Sequence, residues 1–167
     1  MDKSTDKLPL TPELEARVQR AVDNFMQGYG CCQSVVAAFA DLYNLDDSMA
    51  KRIAAGFGGG VGRMRMMCGA VSGMVMLAGM EEGPEDSDNR KAKTECYSRV
   101  RQLVEKFKDE NGSIICEELL KMNGCKAVKD TAIPDERTAK YYAERPCARK
   151  VASAARIYAE FLEERDK

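Results

Sequence analysis

The stretch Met66-Met67-Cys68-Gly69-Ala70-Val71-Ser72-Gly73-Met74-Val75-Met76-Leu77-Ala78-Gly79-Met80 carries no charge along its 15 residues. A membrane-spanning helix needs about 20 consecutive apolar residues. The run therefore reads as most of a helix, about Met64 to Met80, that is buried in a protein core, and the rest of the chain must enclose it.

On its N-terminal side lies the glycine-rich stretch Gly56-Phe57-Gly58-Gly59-Gly60-Val61-Gly62, then Arg63 and Arg65. Further back, Cys31 to Tyr43 is apolar nearly all round, the pattern of a second central helix, and a short helix over about Asp47 to Ala55 follows it. The first helix starts at Thr11-Pro12-Glu13, where Thr11 can cap, Pro12 suits the first turn and the acids favour the positive helix end. Leu14, Val18, Val22, Phe25 and Met26 continue it at helical spacing until Gly28 and Gly30.

On the other side, Glu81-Glu82-Gly83-Pro84 closes the uncharged helix. A long charged helix, about Ser87 to Glu110, carries Cys96, Val100, Leu103, Val104 and Phe107 on one face. A short helix from Cys116 to Met122 precedes an irregular stretch, about Asn123 to Pro134. The last helix begins near Pro146 and aligns Cys147, Val151, Ala154, Ala155, Tyr158, Phe161 and Leu162. No strand-like alternation of any length occurs. The expectation is an all-α, single-domain helical bundle of about six helices, with residues 1–10 as a polar tail and 11–167 as the domain.

Composition narrows the chemistry. The 167 residues hold 44% hydrophobic residues, enough for one sizeable core. The net charge of −1 gives no basic field for nucleic acid, so no nucleic-acid partner and no membrane insertion are expected. There is no His, which excludes Ser-His-Asp and Cys-His catalysis, imidazole-bound zinc and histidine-ligated haem. Met1 to Glu13 is polar without an apolar run, so the expected location is cytoplasmic, where a static disulfide framework among the seven Cys is improbable.

Four of the seven thiols fall near expected helix beginnings. Cys31 follows Gly30, Cys68 lies in the second turn after Gly62, Cys116 comes three residues after the capping candidate Ser113, and Cys147 follows Pro146. Unpaired N–H groups and the helix dipole there favour thiolate over thiol. Their competing reading is that of small buried hydrophobes. Cys32, in the stripe of Val35, Val36 and Phe39, and Cys96, on the apolar face of its helix, read as packing, while Cys125, after Gly124, reads as an exposed loop thiol.

Gly28-Tyr29-Gly30-Cys31, Gln33-Ser34-Val35, Gly58-Gly59-Gly60-Val61-Gly62-Arg63 and Cys68-Gly69-Ala70-Val71-Ser72-Gly73 together resemble the C_GCAxxG_C_C family, whose label proposes redox activity. The resemblance spans roughly Val18 to Leu162. It places the early Cys on Cys31, the central segment on Cys68, Gly69, Ala70 and Gly73, and the two later Cys on Cys116 and Cys147. The chain departs from the pattern in having Cys32 beside the first Cys and Cys-Gly-Ala where the label has Gly-Cys-Ala. The resemblance implies redox chemistry; it carries over neither substrate nor cofactor.

Other features have structural readings. Gly69 and Gly73, four apart, allow close approach of another helix. The 56–62 glycines lack the Gly-Lys-Ser/Thr of a P-loop. They read as an interhelix turn with two solvated arginines in preference to an anion site with Arg63 or Arg65. Six of ten Met crowd into the uncharged helix, a Cu(I) environment on one reading and core filling on the preferred one.

Two functions stay open. In the first, Cys31, Cys68, Cys116 and Cys147 act as redox thiols with an unknown redox partner, or as thiolate ligands of an iron–sulfur cluster or another metal. The chain would then be an oxidoreductase or electron-transfer protein. Converging thiolates repel unless neutralised or paired, which tilts this reading toward a metal or cluster, although no Cys-x-x-Cys is present. In the second, a non-catalytic helical accessory or interaction protein keeps its cysteines as buried structure. Either is compatible with a homo-oligomer.

Overall fold

The protein is seen in a computed structural model that describes residues 7–125 and 131–167. Helix α1 (Pro12–Met26) begins as expected: the Thr11 hydroxyl accepts from the Leu14 N–H at 3.4 Å, Pro12 stands in the first turn, and Glu13 and Glu15 follow. Its buried Arg17 donates to the Ala38 carbonyl at 3.0 Å and pairs with Asp41 at 2.6 Å, tying α1 to the end of α2 (Cys31–Phe39). A 3₁₀ turn, Ala40–Tyr43, extends α2. α3 (Asp47–Ala54) is capped by Asp46, which accepts from the Met49 N–H at 2.9 Å, and a 3₁₀ turn Ala55–Phe57 ends it.

The uncharged helix, α4, spans Gly69–Glu82, so its start lies five residues later than the sequence suggests. The cause is in the backbone. Val61, Arg63 and Arg65 take φ of 64°, 64° and 60°, and Gly59, Gly60 and Gly62 are left-handed too. Repeated left-handed residues cannot continue a right-handed helix. They coil residues 56–68 into a knot of turns closed by Gly62 N–H to Gly56 O (2.8 Å) and Arg63 N–H to Gly58 O (2.9 Å). The segment leaves the knot at Met67, which forms an isolated antiparallel bridge with Ile115.

Helix α4 is central as expected. Ala70, Val71, Met74, Leu77 and Ala78 are fully buried, and each of the larger side chains contributes about 1.5–3 kcal/mol by leaving water. It rests on α2 through its glycines: a Cβ on Gly73 would stand 3.0 Å from the Val35 Cβ, and one on Gly69 3.1 Å from the Cys31 Cβ. Among the described residues, no helix is long and apolar enough to cross a membrane.

The second half is α5 (Arg90–Asn111), capped by Asn89, then α6 (Cys116–Met122), α7 (Ala139–Glu144) and α8 (Cys147–Arg165). Asn89 rather than Ser87 starts α5, because its side chain accepts from the Ala92 N–H at 2.9 Å. α8 lays Val151, Ala154, Ala155 and Tyr158 against the core formed with α1, α2 and α4. Tyr158 packs edge-on against Phe39 at 5.2 Å, and its hydroxyl donates to the Leu77 carbonyl at 3.1 Å.

Among the described residues the chain is thus an all-α domain of eight α-helices, with no strand; the expected class holds and the expected count was low. The missed helix is α7, which Thr138 caps by accepting from the Tyr141 N–H at 3.1 Å and which stops before Pro146. Of the expected irregular stretch, residues 126–130 lie outside the described residues, and 131–134 are non-helical.

Candidate functional site

Four helices begin around one cavity of about 600 Å³, and each presents a thiol to it: Cys31, Cys68, Cys116 and Cys147. Cys31 is the first residue of α2, Cys116 of α6 and Cys147 of α8, while Cys68 is the residue that precedes α4. The two helix-start positions that needed correction are those of Cys68, which stands before the first turn of α4 instead of within the second, and Cys116, which follows Ile115 as cap. Ser113 lies outside the helix, its hydroxyl accepting from the Ile115 N–H at 3.0 Å and bonding Glu118.

Close approach of these starts depends on two glycines. A Cβ at Gly69 would come within 3.1 Å of the Cys31 Cβ, the Cys32 nitrogen and the Phe57 oxygen. Gly60 has φ of 69°, and a Cβ there would stand 2.7 Å from the Cys116 Cβ. Both sites require glycine, the second for conformation as well as space.

All the cysteines are free thiols, and the four in the cavity differ sharply in acidity. The Cys31 thiol donates a hydrogen bond to the Cys147 sulfur. That bond, aided by Arg145, Arg137 and Arg65 and opposed by burial, lowers Cys147 to about 7. The same bond, followed by burial, pushes Cys31 well above the usual thiol range. The two sulfurs share a proton and titrate as a pair.

Burial holds Cys68 up at about 12, although the N–H groups of Ala70 and Val71 act in the opposite sense without forming a side-chain cap. Cys116 is also raised by burial, against the Arg65 guanidinium 3.8 Å from its sulfur. Of the four, Cys147 is thus the one set to be about half ionised near neutral pH.

The walls are cationic. Arg63 and Arg65, expected as solvated residues of a turn, are instead enclosed: the Arg63 side chain is 14% exposed and Arg65 is 8% exposed. Arg63 donates to the Thr131 carbonyl at 2.8 Å and pairs with Asp135 at 3.2 Å, and Arg145 pairs with the same Asp135 oxygen at 3.0 Å. Arg137 donates to the Phe25 and Tyr29 carbonyls and lies over the rings of Phe25 and Tyr141.

The sequence reading did not single out Asp135, Arg137, Arg145, Tyr141 or Lys150. The signal available to it was the basic cluster Arg145-Pro146-Cys147-Ala148-Arg149-Lys150 around the last helix start.

Whether these residues suit a metal can be judged from their arrangement. Among the described residues, no group of three or more Cys, Asp or Glu side chains stands so as to hold a metal ion.

The remaining cysteines pack. Cys32 is fully buried and directs its sulfur to Met76 at 3.6 Å; Cys96 is buried; Cys125, half-buried, donates to the Glu144 carbonyl at 3.4 Å. The Met cluster divides: Met74 is core, whereas Met64 and Met66 sit in the loop before α4, 53% and 54% exposed, and are not core filling.

No curated protein and no solved structure matches the chain at a significant level. The family model described as "Putative redox-active protein (C_GCAxxG_C_C)" matches residues 29–161, a span that takes in the cavity's four thiols and the glycine-rich knot. By that match over most of its length, the chain belongs to the C_GCAxxG_C_C family.

Proposed function

We propose that the protein is a thiol–disulfide redox protein in which Cys147 is the attacking thiolate and Cys31 its partner. The observation that carries this is that Cys31 and Cys147, the first residues of α2 and α8, open into one cavity and interact there in the sense that favours the Cys147 thiolate. In the oxidising direction, the Cys147 thiolate attacks one sulfur of a disulfide R–S–S–R and expels RS⁻. Cys31 then gives up its proton and attacks the Cys147 sulfur of the mixed disulfide, expelling the second RS⁻. The dithiol is oxidised to a Cys31–Cys147 disulfide and R–S–S–R is reduced to two thiols. Cys68, buried, and Cys116, half-buried, line the same cavity as protonated thiols.

The test is titration of the reduced protein against thiol/disulfide buffers, with peptide mapping of the products. The expected result is one reversible two-electron couple, a Cys31–Cys147 crosslink, and loss of the couple in Cys147→Ser. Slow alkylation of all four cavity thiols near neutral pH, with no such crosslink, would return the chain to the reading of an accessory protein with structural cysteines.

A further inference from the structure

The thiols occupy only part of the cavity wall. Among the described residues, five cationic side chains line it (Arg63, Arg65, Arg137, Arg145 and Lys150) against one carboxylate, that of Asp135. The surplus is local, because the chain as a whole has a net charge of −1. One carboxylate is shared by two arginines. Arg137 bonds carbonyl oxygens, and Lys150 bonds the Asn111 side-chain oxygen at 3.0 Å, so neither cation is neutralised by these contacts. Leaving Arg65 aside and counting Cys147 as a thiolate, two positive charges remain in excess among the described residues.

Enclosed charges of one sign focus the potential and draw a ligand of the other. The arginines are fixed by the contacts above, so their planar forks are preorganised for carboxylate-like groups. A volume of about 600 Å³ admits a small molecule and excludes a folded protein domain.

We infer that the cavity selects a low-molecular-weight disulfide, or the corresponding thiol, that carries anionic arms, with its S–S bond delivered to Cys147 and its arms held by the arginines and Lys150. This rests on the thiol–disulfide reading above and adds the substrate class. The balance is the same: one dianionic disulfide becomes two anionic thiols as the Cys31–Cys147 dithiol becomes a disulfide.

The experiment compares three small disulfides that differ in charge: dithiodipropionate (two carboxylates), bis-hydroxyethyl disulfide (neutral) and cystamine (two ammoniums). Rates of oxidation of the reduced protein are measured beside those of a free small thiol. A free thiolate repels the dianion, so its dianion-to-neutral rate ratio lies below one. The protein's ratio is expected to exceed the free thiol's by at least about tenfold and to collapse toward it at high ionic strength. Lys150→Gln and Arg63→Gln should each lower it several-fold. Because it is a ratio within one variant, changes in thiol acidity cancel.

A ratio no higher than that of the free thiol, or cystamine as the fastest oxidant, overturns the inference while leaving the redox reading in place. If no disulfide oxidises the Cys31–Cys147 pair, the redox reading fails on its own account. Calorimetry of dithiodipropionate with the Cys147→Ser protein then decides the ligand class: salt-sensitive, saturable binding supports it and no binding overturns it.

Discussion

Replacing Cys31 by Ala removes the hydrogen bond that is the largest single cause of the lowered Cys147 acidity constant, and leaves the helix start and the three arginines in place. A hydrogen bond to a charged group contributes about 1.5–3 kcal/mol. At 1.36 kcal/mol per pH unit that corresponds to about 1–2 units. The Cys147 midpoint should therefore rise from about 7 to the ordinary thiol range or slightly beyond it. At neutral pH the thiolate population would fall from about one half to about 1–10 per cent.

The assay is the pH dependence of iodoacetamide labelling at Cys147, resolved from the other thiols by peptide mass spectrometry. The midpoint is a better readout than the rate at one pH, because a more basic thiolate is also a better nucleophile and partly offsets its scarcity. Cys31→Ser, which keeps a donor, should fall between the native protein and Cys31→Ala. A midpoint that stays near 7 in Cys31→Ala would refute the reasoning and assign the acidity to the arginines and the α8 start alone.

Further expectations concern the frame around the pair. Gly69→Ala places a Cβ 3.1 Å from the Cys31 Cβ and the Phe57 oxygen; it should cost roughly 1–3 kcal/mol in urea unfolding and raise the Cys147 midpoint by displacing Cys31. Tyr158→Phe deletes a buried hydroxyl bonded to the Leu77 carbonyl and Tyr43, and should lower stability by about 1–2 kcal/mol without changing thiol labelling. Cys68 is held at about 12, so it should resist alkylation in the folded protein and react normally once unfolded. Because its folded value is raised, stability is intact below the unfolded thiol pKa of about 8.5 and declines as pH rises toward about 12. In Cys68→Ala the alkaline slope of unfolding free energy should shrink by about one proton.

The parts of the fold that rest on side-chain periodicity were legible. α1 with its Thr11 cap, the wholly apolar α2 and the stripe of α8 follow from spacing and capping chemistry. The start of α4 was not, because Val61, Arg63 and Arg65 carry side chains that ordinarily avoid positive φ. Their N–H groups donate to the Phe57, Gly58 and Gly59 carbonyls within the knot itself, and no side-chain periodicity announces such bonds. α7 was hidden for a similar reason, being six residues without a buried side chain.

Around the cavity, the position of the four thiols at or beside helix beginnings was legible from capping and spacing. Their division into one acidic sulfur, one proton donor and two protonated neighbours was not, since it depends on which helix ends meet. The enclosure of Arg63 and Arg65 likewise follows from Asp135 and Cys116, which are remote in sequence.

The pairing of the first residue of α2 with the first residue of α8 has a consequence during synthesis. The acidic sulfur exists only after the last helix has left the ribosome and docked near one of the first. Until then every cysteine behaves as an ordinary thiol, mostly protonated and slow to exchange. A chain that lacks α8 is therefore protected from premature crosslinking, and reactive sulfur appears as a mark that α2 and α8 have met.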